Sequence, residues 1–446
     1  MNVSVLQPLL PGIPIAPGAE TATSINRLAS DDRAFHDWYR FVLSFPPHLV
    51  RDYLHEFVAG QQAVILDPFC GTGTTLVEAK LAGLPGFGLE ANPFAHLASS
   101  VKTDWSVDGN ALSAAARAIA ATVRKRLAAE GIDDDRLYRS MPDGLMLKVL
   151  DPESEKLLIK DSISPLPLHK VLTLREAIRA YSDAPFYKHL LLAFAHTAVY
   201  AGSNLRFGPE VGADKIKTDA SILAPWLNKI AEMANDLRLV AGNHYPATEV
   251  YLTDARRASA MLAPGSIDAV ITSPPYPNEK DYTRTTRLES VLLELIHDAA
   301  ELKTFKGALI RSNTRGVYKG DDDDQWIAHH AGIQRIAEQI EQRRIELGKT
   351  SGFERMYSRV TRLYFGGMAR HLAELRHVLR PGAQLAYVVG DQASYLRVLI
   401  RTGQLLAEIA QELGYQLIRI DLFRTRFATA TKEQLREEVV VLRWPG

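Results

Sequence analysis

Residues 67–75 read Asp67-Pro68-Phe69-Cys70-Gly71-Thr72-Gly73-Thr74-Thr75, and this stretch decides the fold. The short apolar run Ala63–Leu66 ahead of it predicts a buried strand that ends at Asp67-Pro68. Behind it, Thr74 to Ala82 predicts a helix, with Gly83 where a helix terminates. Gly71 and Gly73 therefore occupy a strand-to-helix turn. Glycine lets the backbone there approach a ligand closely and adopt positive φ. The helix N-terminus that follows presents free N–H groups. The lysine of the GxxxxGK[ST] phosphate loop is missing, and so is the third glycine of the dinucleotide fingerprint at its usual spacing. A lone Gly-x-Gly is equally a plain tight turn; the nine-residue setting is the stronger signal.

Working outward, a second short strand, Gly86–Leu89, ends at Glu90. An acid at that position suits ribose hydroxyls; alone, it is as readily a solvated carboxylate. Upstream, 47–59 predicts a helix with Leu49, Val50, Tyr53, Leu54 and Phe57 on one face, entered through Phe45-Pro46-Pro47. Downstream the strand–helix alternation stops. Residues 106–245 hold helical stretches at 110–129, 170–181, 187–200 and 222–240, with few strand signals. Alternation resumes with a strand at Glu249–Leu252, a helix at Arg256–Leu262 and a buried strand at Ile267–Thr272. Helices follow at 284–298, 325–347 and Tyr357–Leu379, the last ended by Arg380-Pro381-Gly382. Then come a strand at Leu385–Val389, a helix at 397–413, and strands Gln416–Leu422 and Glu438–Arg443 around a polar connection. The expectation is an α/β core from 31–105 and 246–446, interrupted by a mostly helical insertion at 106–245. Residues 1–30, rich in Pro, Ala, Ser and Thr, are expected to be a loosely ordered arm.

The 446 residues suit two or three compact units, at about 150 residues each. Apolar residues at 46% and charged residues at 23% are those of a globular protein. Lys plus Arg is 52 and Asp plus Glu is 52, which disfavours a protein that coats nucleic acid with net charge. Nucleic acid would have to meet a local basic surface. The single cysteine, Cys70, excludes an intramolecular disulfide and a cysteine-built zinc site. No apolar run approaches the roughly 18 residues of a membrane span, and residues 1–30 lack a signal-peptide pattern. The cytoplasm is the expected compartment.

A second motif follows the strand at 267–271: Thr272-Ser273-Pro274-Pro275-Tyr276. The two prolines fix φ and remove N–H donors, so the carbonyls of Ser273 and Pro274 are available as acceptors. Ser273 adds a hydroxyl and Tyr276 an aromatic face. Acceptors beside a ring suit a planar base that carries an exocyclic amine. Standing alone, the motif would be an ordinary Pro-Pro loop.

Taken together, Asp-Pro-Phe-x-Gly-x-Gly-Thr and Ser-Pro-Pro-Tyr resemble the S-adenosylmethionine-dependent amino-methyltransferases of DNA, which modify N4 of cytosine or N6 of adenine. The resemblance covers the α/β core and not the insertion. It implies a Rossmann-like class I methyltransferase core, with a mostly parallel seven-stranded sheet and a C-terminal antiparallel hairpin. The Ser-initial motif resembles the N4-cytosine enzymes; adenine enzymes more often begin with Asp or Asn. Here the cofactor turn precedes the catalytic loop, unlike the commonest order among N4-cytosine enzymes. By resemblance, Asp67, Pro68, Phe69, Gly71, Thr72, Gly73 and Thr74 would hold the methionine end of the cofactor, Glu90 its ribose and Asp254 its adenine amine. Phe45 and Pro46 match the segment that covers the cofactor. Ser273, Pro274, Pro275 and Tyr276 would form the catalytic loop.

No metal is required by this chemistry. A C5-cytosine mechanism is excluded, because its nucleophilic cysteine would have to stand in the catalytic loop. DNA is the expected partner, with a restriction or defence partner implied by the resemblance alone and oligomeric state open. An RNA amino-methyltransferase, a protein-glutamine methyltransferase, a silent nucleic-acid-binding subunit and a nicotinamide oxidoreductase are the competing classes. The glutamine enzymes resemble Asn-Pro-Pro-Tyr, and an oxidoreductase gives Ser273–Tyr276 no role.

Candidate phosphate contacts lie in 303–319, which has five basic residues, Lys303, Lys306, Arg311, Arg315 and Lys319, and no acid. This segment reads as a loop. Lys280, Arg284 and Arg287 follow the catalytic motif, and Arg424 and Arg426 stand in the connection of the last hairpin. In the insertion, Ser203–Glu210 and Lys215-Ile216-Lys217 are the least core-like stretch and the candidate target-recognition region. Asp321–Asp324 reads as a solvated turn and helix start.

Overall fold

The computed structural model describes residues 28, 32–41, 44–140, 144–208, 210–278, 280–428 and 433–446. The expected N-terminal arm lies, Leu28 apart, outside them. In chain order, α1 (Pro47–Val58), β1 (Ile65–Asp67), α2 (Thr74–Leu81), β2 (Gly86–Glu90) and α3 (Pro93–Thr103) come first. The inserted region follows: α4 (Gly109–Ala129), α5 (Pro152–Leu157), α6 (Pro165–Arg179), α7 (Tyr187–Thr197), β3 (Leu205–Phe207), β4 (Val211–Ala213) and α8 (Leu223–Val240). Next are β5 (Thr248–Leu252), β6 (Ile267–Thr272), α9 (Tyr282–Thr285), α10 (Arg287–Leu292), α11 (Ala299–Ala308) and α12 (Ala331–Glu346). The chain closes with α13 (Tyr357–Leu375), β7 (Leu379–Gly390), α14 (Thr402–Glu412), β8 (Gln416–Ala428) and β9 (Glu433–Arg443).

Among the described residues, seven strands form one sheet in the order β5-β2-β1-β6-β7-β9-β8. All neighbours are parallel except β9, which runs antiparallel to both β7 and β8. This is a Rossmann-like, mostly parallel seven-stranded sheet with a C-terminal antiparallel hairpin, the architecture that the resemblance implied. Its strands alternate because both faces are covered. In β7, Leu385, Tyr387 and Val389 pack on α13 and α14, while Ala386 and Val388 pack toward α1. β9 repeats this with Val440 and Leu442 against Val439 and Val441. The strand order reverses between β1 and β6, and in open α/β sheets the ligand crevice opens there, beyond the strand C-termini. Asp67, Glu90 and Thr272 all stand at such ends.

The helices α4, α6, α7 and α8 share one continuous hydrophobic cluster with Phe94, Ala98 and Val101 of α3 and with Phe35, Trp38 and Tyr39. The insertion is thus built onto the sheet's own helical layer. A small antiparallel hairpin, β3–β4, projects within it; Pro209 at its tip lies outside the described residues.

Several local expectations are corrected. Residues 299–308 are a helix with Asp298 as N-cap, accepting from Ala300 N and Glu301 N at 2.8 Å each, so 303–319 is only partly loop. Arg380-Pro381-Gly382 lies inside β7 rather than ending a helix, because α13 stops at Leu375. The last hairpin is longer than its apolar pattern, so Arg424, Thr425 and Arg426 are strand residues of β8, paired with Glu437, Arg436 and Leu435. Asp321 and Asp323 are not solvated: Asp321 pairs with Arg311, and Asp323 is buried against Arg256 and Arg370. A Cβ on Gly366 would collide with the backbone of Asp323, so the glycine lets that turn press against α13. Among the described residues, no helix is long and apolar enough to cross a membrane.

Candidate functional site

The turn after β1 is shaped by its two glycines. Gly73 caps α2 in the left-handed region at φ 83°, and a Cβ there would lie 3.0 Å from that of Ser99. Gly71, at φ 51°, has open space where a Cβ would be and faces the crevice. Behind the turn, the fully buried Asp67 accepts from the Phe69 N–H (3.1 Å) and the Thr272 hydroxyl (2.6 Å) through Oδ1. Its Oδ2 has no partner among the described residues. The neighbouring Thr75 hydroxyl donates to the Ile271 carbonyl at 3.1 Å. Burial pushes the Asp67 carboxyl up to about 6 against these hydrogen bonds.

Glu90 stitches two loops together. Its Oε2 accepts from Gly71 N (2.8 Å) and its Oε1 from Asn92 N (2.7 Å). Burial pushes its pKa up to about 7, partly opposed by these N–H groups and reinforced by the charge of Asp67. Asn92 in turn caps α3, accepting from Phe94 N at 3.0 Å.

The Ser-Pro-Pro-Tyr loop leaves the C-terminus of β6. The Ser273 hydroxyl donates to the Val388 carbonyl of β7 at 3.2 Å. Its proton is therefore directed into the sheet, which leaves oxygen lone pairs to accept. The Tyr276 ring lies against Gly390: a Cβ at that glycine would sit 3.0 Å from the ring. Burial and the nearby Glu437 carboxylate both push the Tyr276 phenol up, so it stays protonated.

These loops enclose a cavity of about 300 Å³, the lower end of the range for small-ligand sites. Of the residues singled out for the cofactor, Phe45, Pro68, Phe69, Gly71, Thr72, Thr74, Glu90 and Asp254 line it. Asp67 and Gly73 support the wall from behind, and Pro46 is the N-cap of α1. Ser273, Pro274, Pro275 and Tyr276 all line the same cavity. The Asp254 carboxylate is held by Arg256, which donates from Nε at 3.0 Å and from Nη2 at 2.6 Å and also reaches Asp323.

The basic residues divide sharply. Lys306 lines the cavity with its charge on Asp281 at 3.0 Å. Arg311 is buried, bidentate to Asp321 (2.9 and 2.8 Å) and bonded to the carbonyls of Lys306, Gly307 and Leu309. It is among the residues lining the cavity, but its donors clamp its own loop. Arg287 is likewise buried, held by Thr283 Oγ1 and the Leu157 carbonyl. Arg315 is half-buried over the Phe353 ring, and Lys319 is exposed. Lys280 and Arg284 are half-buried, and the Arg284 Nε has no partner among the described residues. Arg424 lines the cavity, paired with Glu437, while Arg426 is exposed and donates to the Asp391 carbonyl at 3.2 Å.

Sequence reasoning passed over Tyr39 and Tyr200, which line the cavity from the N-terminal segment and the insertion, together with Phe207 of the 203–210 candidate recognition stretch. Tyr39 is buried and donates to the buried carboxylate of Glu289. It also missed Asp281 and Glu437. For these two the only cue was proximity to basic partners, and the pairing is visible only in three dimensions.

No family model matches the chain. It is 24% identical over 463 residues to the Type II methyltransferase M.BsoBI of Geobacillus stearothermophilus, covering 93% of this chain and 85% of that protein. It is 22% identical over 450 residues to the Type II methyltransferase M.AvaI, of Nostoc sp. and of Anabaena variabilis, covering 94% of this chain and 88% of that one. Among solved structures, TrmN from Thermus thermophilus aligns with 92% of this chain and 52% of its own, at 12% identity and a TM-score of 0.28. A SAM-dependent methyltransferase from Methanosarcina mazei aligns with 88% and 96%, at 9% identity and a TM-score of 0.29. Overlaps this partial add nothing to the strand order itself. What the chain resembles along most of its length is the Type II methyltransferases.

Proposed function

We propose that this protein transfers a methyl group from S-adenosylmethionine to the exocyclic amine of a base flipped out of DNA, in a sequence-specific modification role. N4 of cytosine is the favoured target, ahead of N6 of adenine. The observation that carries this is the placement of Ser273. Its hydroxyl donates to Val388, and it lines the same cavity as the proline loop and the Gly71 turn.

The residues present fit the cofactor. The ligand has an amino group and a ribose, and Glu90 and Asp254 offer carboxylate acceptors on the wall, while Asp281 and Glu437 are paired with Lys306 and Arg424. The buried Asp67 Oδ2 is an acceptor still without a donor. The open space over Gly71 admits the ligand against the backbone. Asp67 and the Gly71–Gly73 turn would hold the methionine end, Glu90 the ribose and Asp254 the adenine. Bound there, S-adenosylmethionine supplies a methyl on a sulfonium that departs as a neutral thioether.

The chain's own work is orientation. Ser273 Oγ and the Pro274 carbonyl accept the amine N–H groups. This draws a conjugated nitrogen toward tetrahedral geometry and frees its lone pair for attack. Tyr276 stacks on the base, offsetting part of the few kcal/mol that flipping costs. Positioning of this kind supplies much of a bimolecular rate. The exposed Lys303 and Lys319 and the half-buried Arg315 are the proposed phosphate contacts.

The test is a product analysis. The protein is incubated with S-adenosylmethionine and unmethylated genomic DNA, and the digested nucleosides are identified by mass spectrometry. N4-methylcytosine is the expected product. N6-methyladenine keeps the chemistry and corrects the base. Neither on DNA, with product on RNA, moves the substrate to RNA. Neither on any nucleic acid overturns the reading.

A further inference from the structure

Four residues form one row across the end of the sheet. Tyr276 lies on Gly390 of β7. Gly390 is paired with Glu437 of β9, and Glu437 with Arg424 of β8. A β-bulge between Leu422 and Arg424 breaks the strand's alternation, so the consecutive residues Phe423 and Arg424 both line the cavity. Glu437 is buried and receives the Arg424 guanidinium through Nε at 2.6 Å and through Nη2. The Nη1 group has no hydrogen-bond partner among the described residues. Glu437 therefore fixes one edge of the guanidinium plane and leaves the Nη1–Nη2 edge as a fork of parallel N–H groups.

Resting on the function proposed above, we infer that Arg424, held by Glu437, is the residue that selects cytosine. An arginine fork matches two acceptors side by side. Next to its amine, cytosine carries N3 and then O2, two adjacent acceptors. Adenine carries N1 and then a C–H, which offers the fork one acceptor and leaves one donor unpaired. With the amine on Ser273 and Pro274 and the ring on Tyr276, the remaining Watson–Crick edge is what Arg424 reads. The assignment does not depend on the first residue of the catalytic motif. It comes from the pairing chemistry of Arg424 and Glu437.

The experiment uses the full chain. The modified site is first mapped on genomic DNA and built into a duplex. A second duplex carries 3-deazacytosine at the target, which replaces N3 by C–H and keeps the amine. Duplex affinity, transfer rate and cofactor affinity are measured for the wild type, Arg424→Lys and Glu437→Gln. The lysine variant keeps a cation beside Glu437 but has no fork, and its calorimetric cofactor affinity reports that the site is folded. We expect the wild type to prefer cytosine over 3-deazacytosine by about tenfold to a hundredfold. In Arg424→Lys that preference should collapse to less than threefold, with cofactor affinity within twofold of wild type. Glu437→Gln should lose part of the preference.

Preference retained in Arg424→Lys overturns the inference. So does a loss of cofactor affinity that matches the loss of transfer, which would assign Arg424 to the cofactor. Wild-type N6-methyladenine overturns the inference but leaves the methyltransferase reading standing. Absence of wild-type transfer to any nucleic acid defeats that reading, and the inference with it.

Discussion

The Thr272 hydroxyl donates to the Asp67 carboxylate at 2.6 Å, joining two residues 205 positions apart in the chain. One ends the strand before the glycine turn, and the other immediately precedes the Ser-Pro-Pro-Tyr loop. The two motifs are thus braced against each other at the point where the sheet reverses direction. Thr272→Val removes this donor from a buried carboxylate. We expect a loss of about 1–3 kcal/mol in urea unfolding and weaker cofactor binding. Asp67→Ala should weaken cofactor binding further in calorimetry; unchanged affinity would remove Asp67 from the site.

Ser273→Ala removes an acceptor for the amine and should lower kcat by about a hundredfold or more, the order found when one such oriented group is removed. Cofactor affinity should not change. Tyr276→Phe keeps the ring and should stay within about tenfold of wild type. Tyr276→Ala loses the stack, about 1–3 kcal/mol, and should fall well below it. Full activity in both alanine variants would place the chemistry elsewhere.

Glu90 gives the site a pH dependence. Its folded pKa is raised, to about 7, so protons compete with any ligand that donates to the carboxylate. Cofactor affinity should be flat above pH 7 and fall below it, by at most about tenfold per pH unit for this one ionisation. Asp67, near 6, steepens the acid limb. Calorimetry across pH 5.5–8.5, at roughly half-unit steps, checks the sign. Glu90→Gln should bind more weakly and with a shallower profile. An affinity that rises toward acid pH would contradict the assignment.

Gly390 is required by the ring beside it. Alanine there puts a Cβ about 3.0 Å from Tyr276 and 3.3 Å from Glu437, in a strand otherwise able to accept alanine. The ring must shift by several tenths of an ångström. We expect a loss of about tenfold to a hundredfold in kcat/KM, because small misplacements of positioning groups are costly. Far-ultraviolet circular dichroism should be unchanged.

The basic residues of 303–319 should separate into two classes. Arg311→Ala leaves Asp321 without its bidentate partner and frees three carbonyls, so it should destabilise the fold by about 3–5 kcal/mol. Lys303→Glu and Lys319→Glu should leave stability within about 0.5 kcal/mol, since such exposed sites contribute little. They should weaken DNA binding and reduce its salt dependence by about one unit of slope per lost phosphate contact. Equal effects from both classes would mean that the surface assignment is wrong.

The sequence by itself determined the two motifs and the core strands that carry them. Strand, glycine turn and helix at 65–81, the acid at Glu90 and the proline loop after β6 are local patterns. They rest on backbone chemistry and on apolar periodicity within a few residues. That is why the C-termini of β1, β2 and β6 could be named in advance and why they meet at one cavity.

Tertiary structure alone decided which charges remain available. Arg311, Lys306 and Arg424 look alike in sequence to the exposed Lys319. Yet Asp321, Asp281 and Glu437, at 10, 25 and 13 positions along the chain, neutralise them. Partner choice follows from where the backbone brings oppositely charged groups together in a low-dielectric wall, and no local pattern encodes it. The same holds for Tyr39, Tyr200 and Phe207, whose place at the cavity depends on an insertion folding back onto α3.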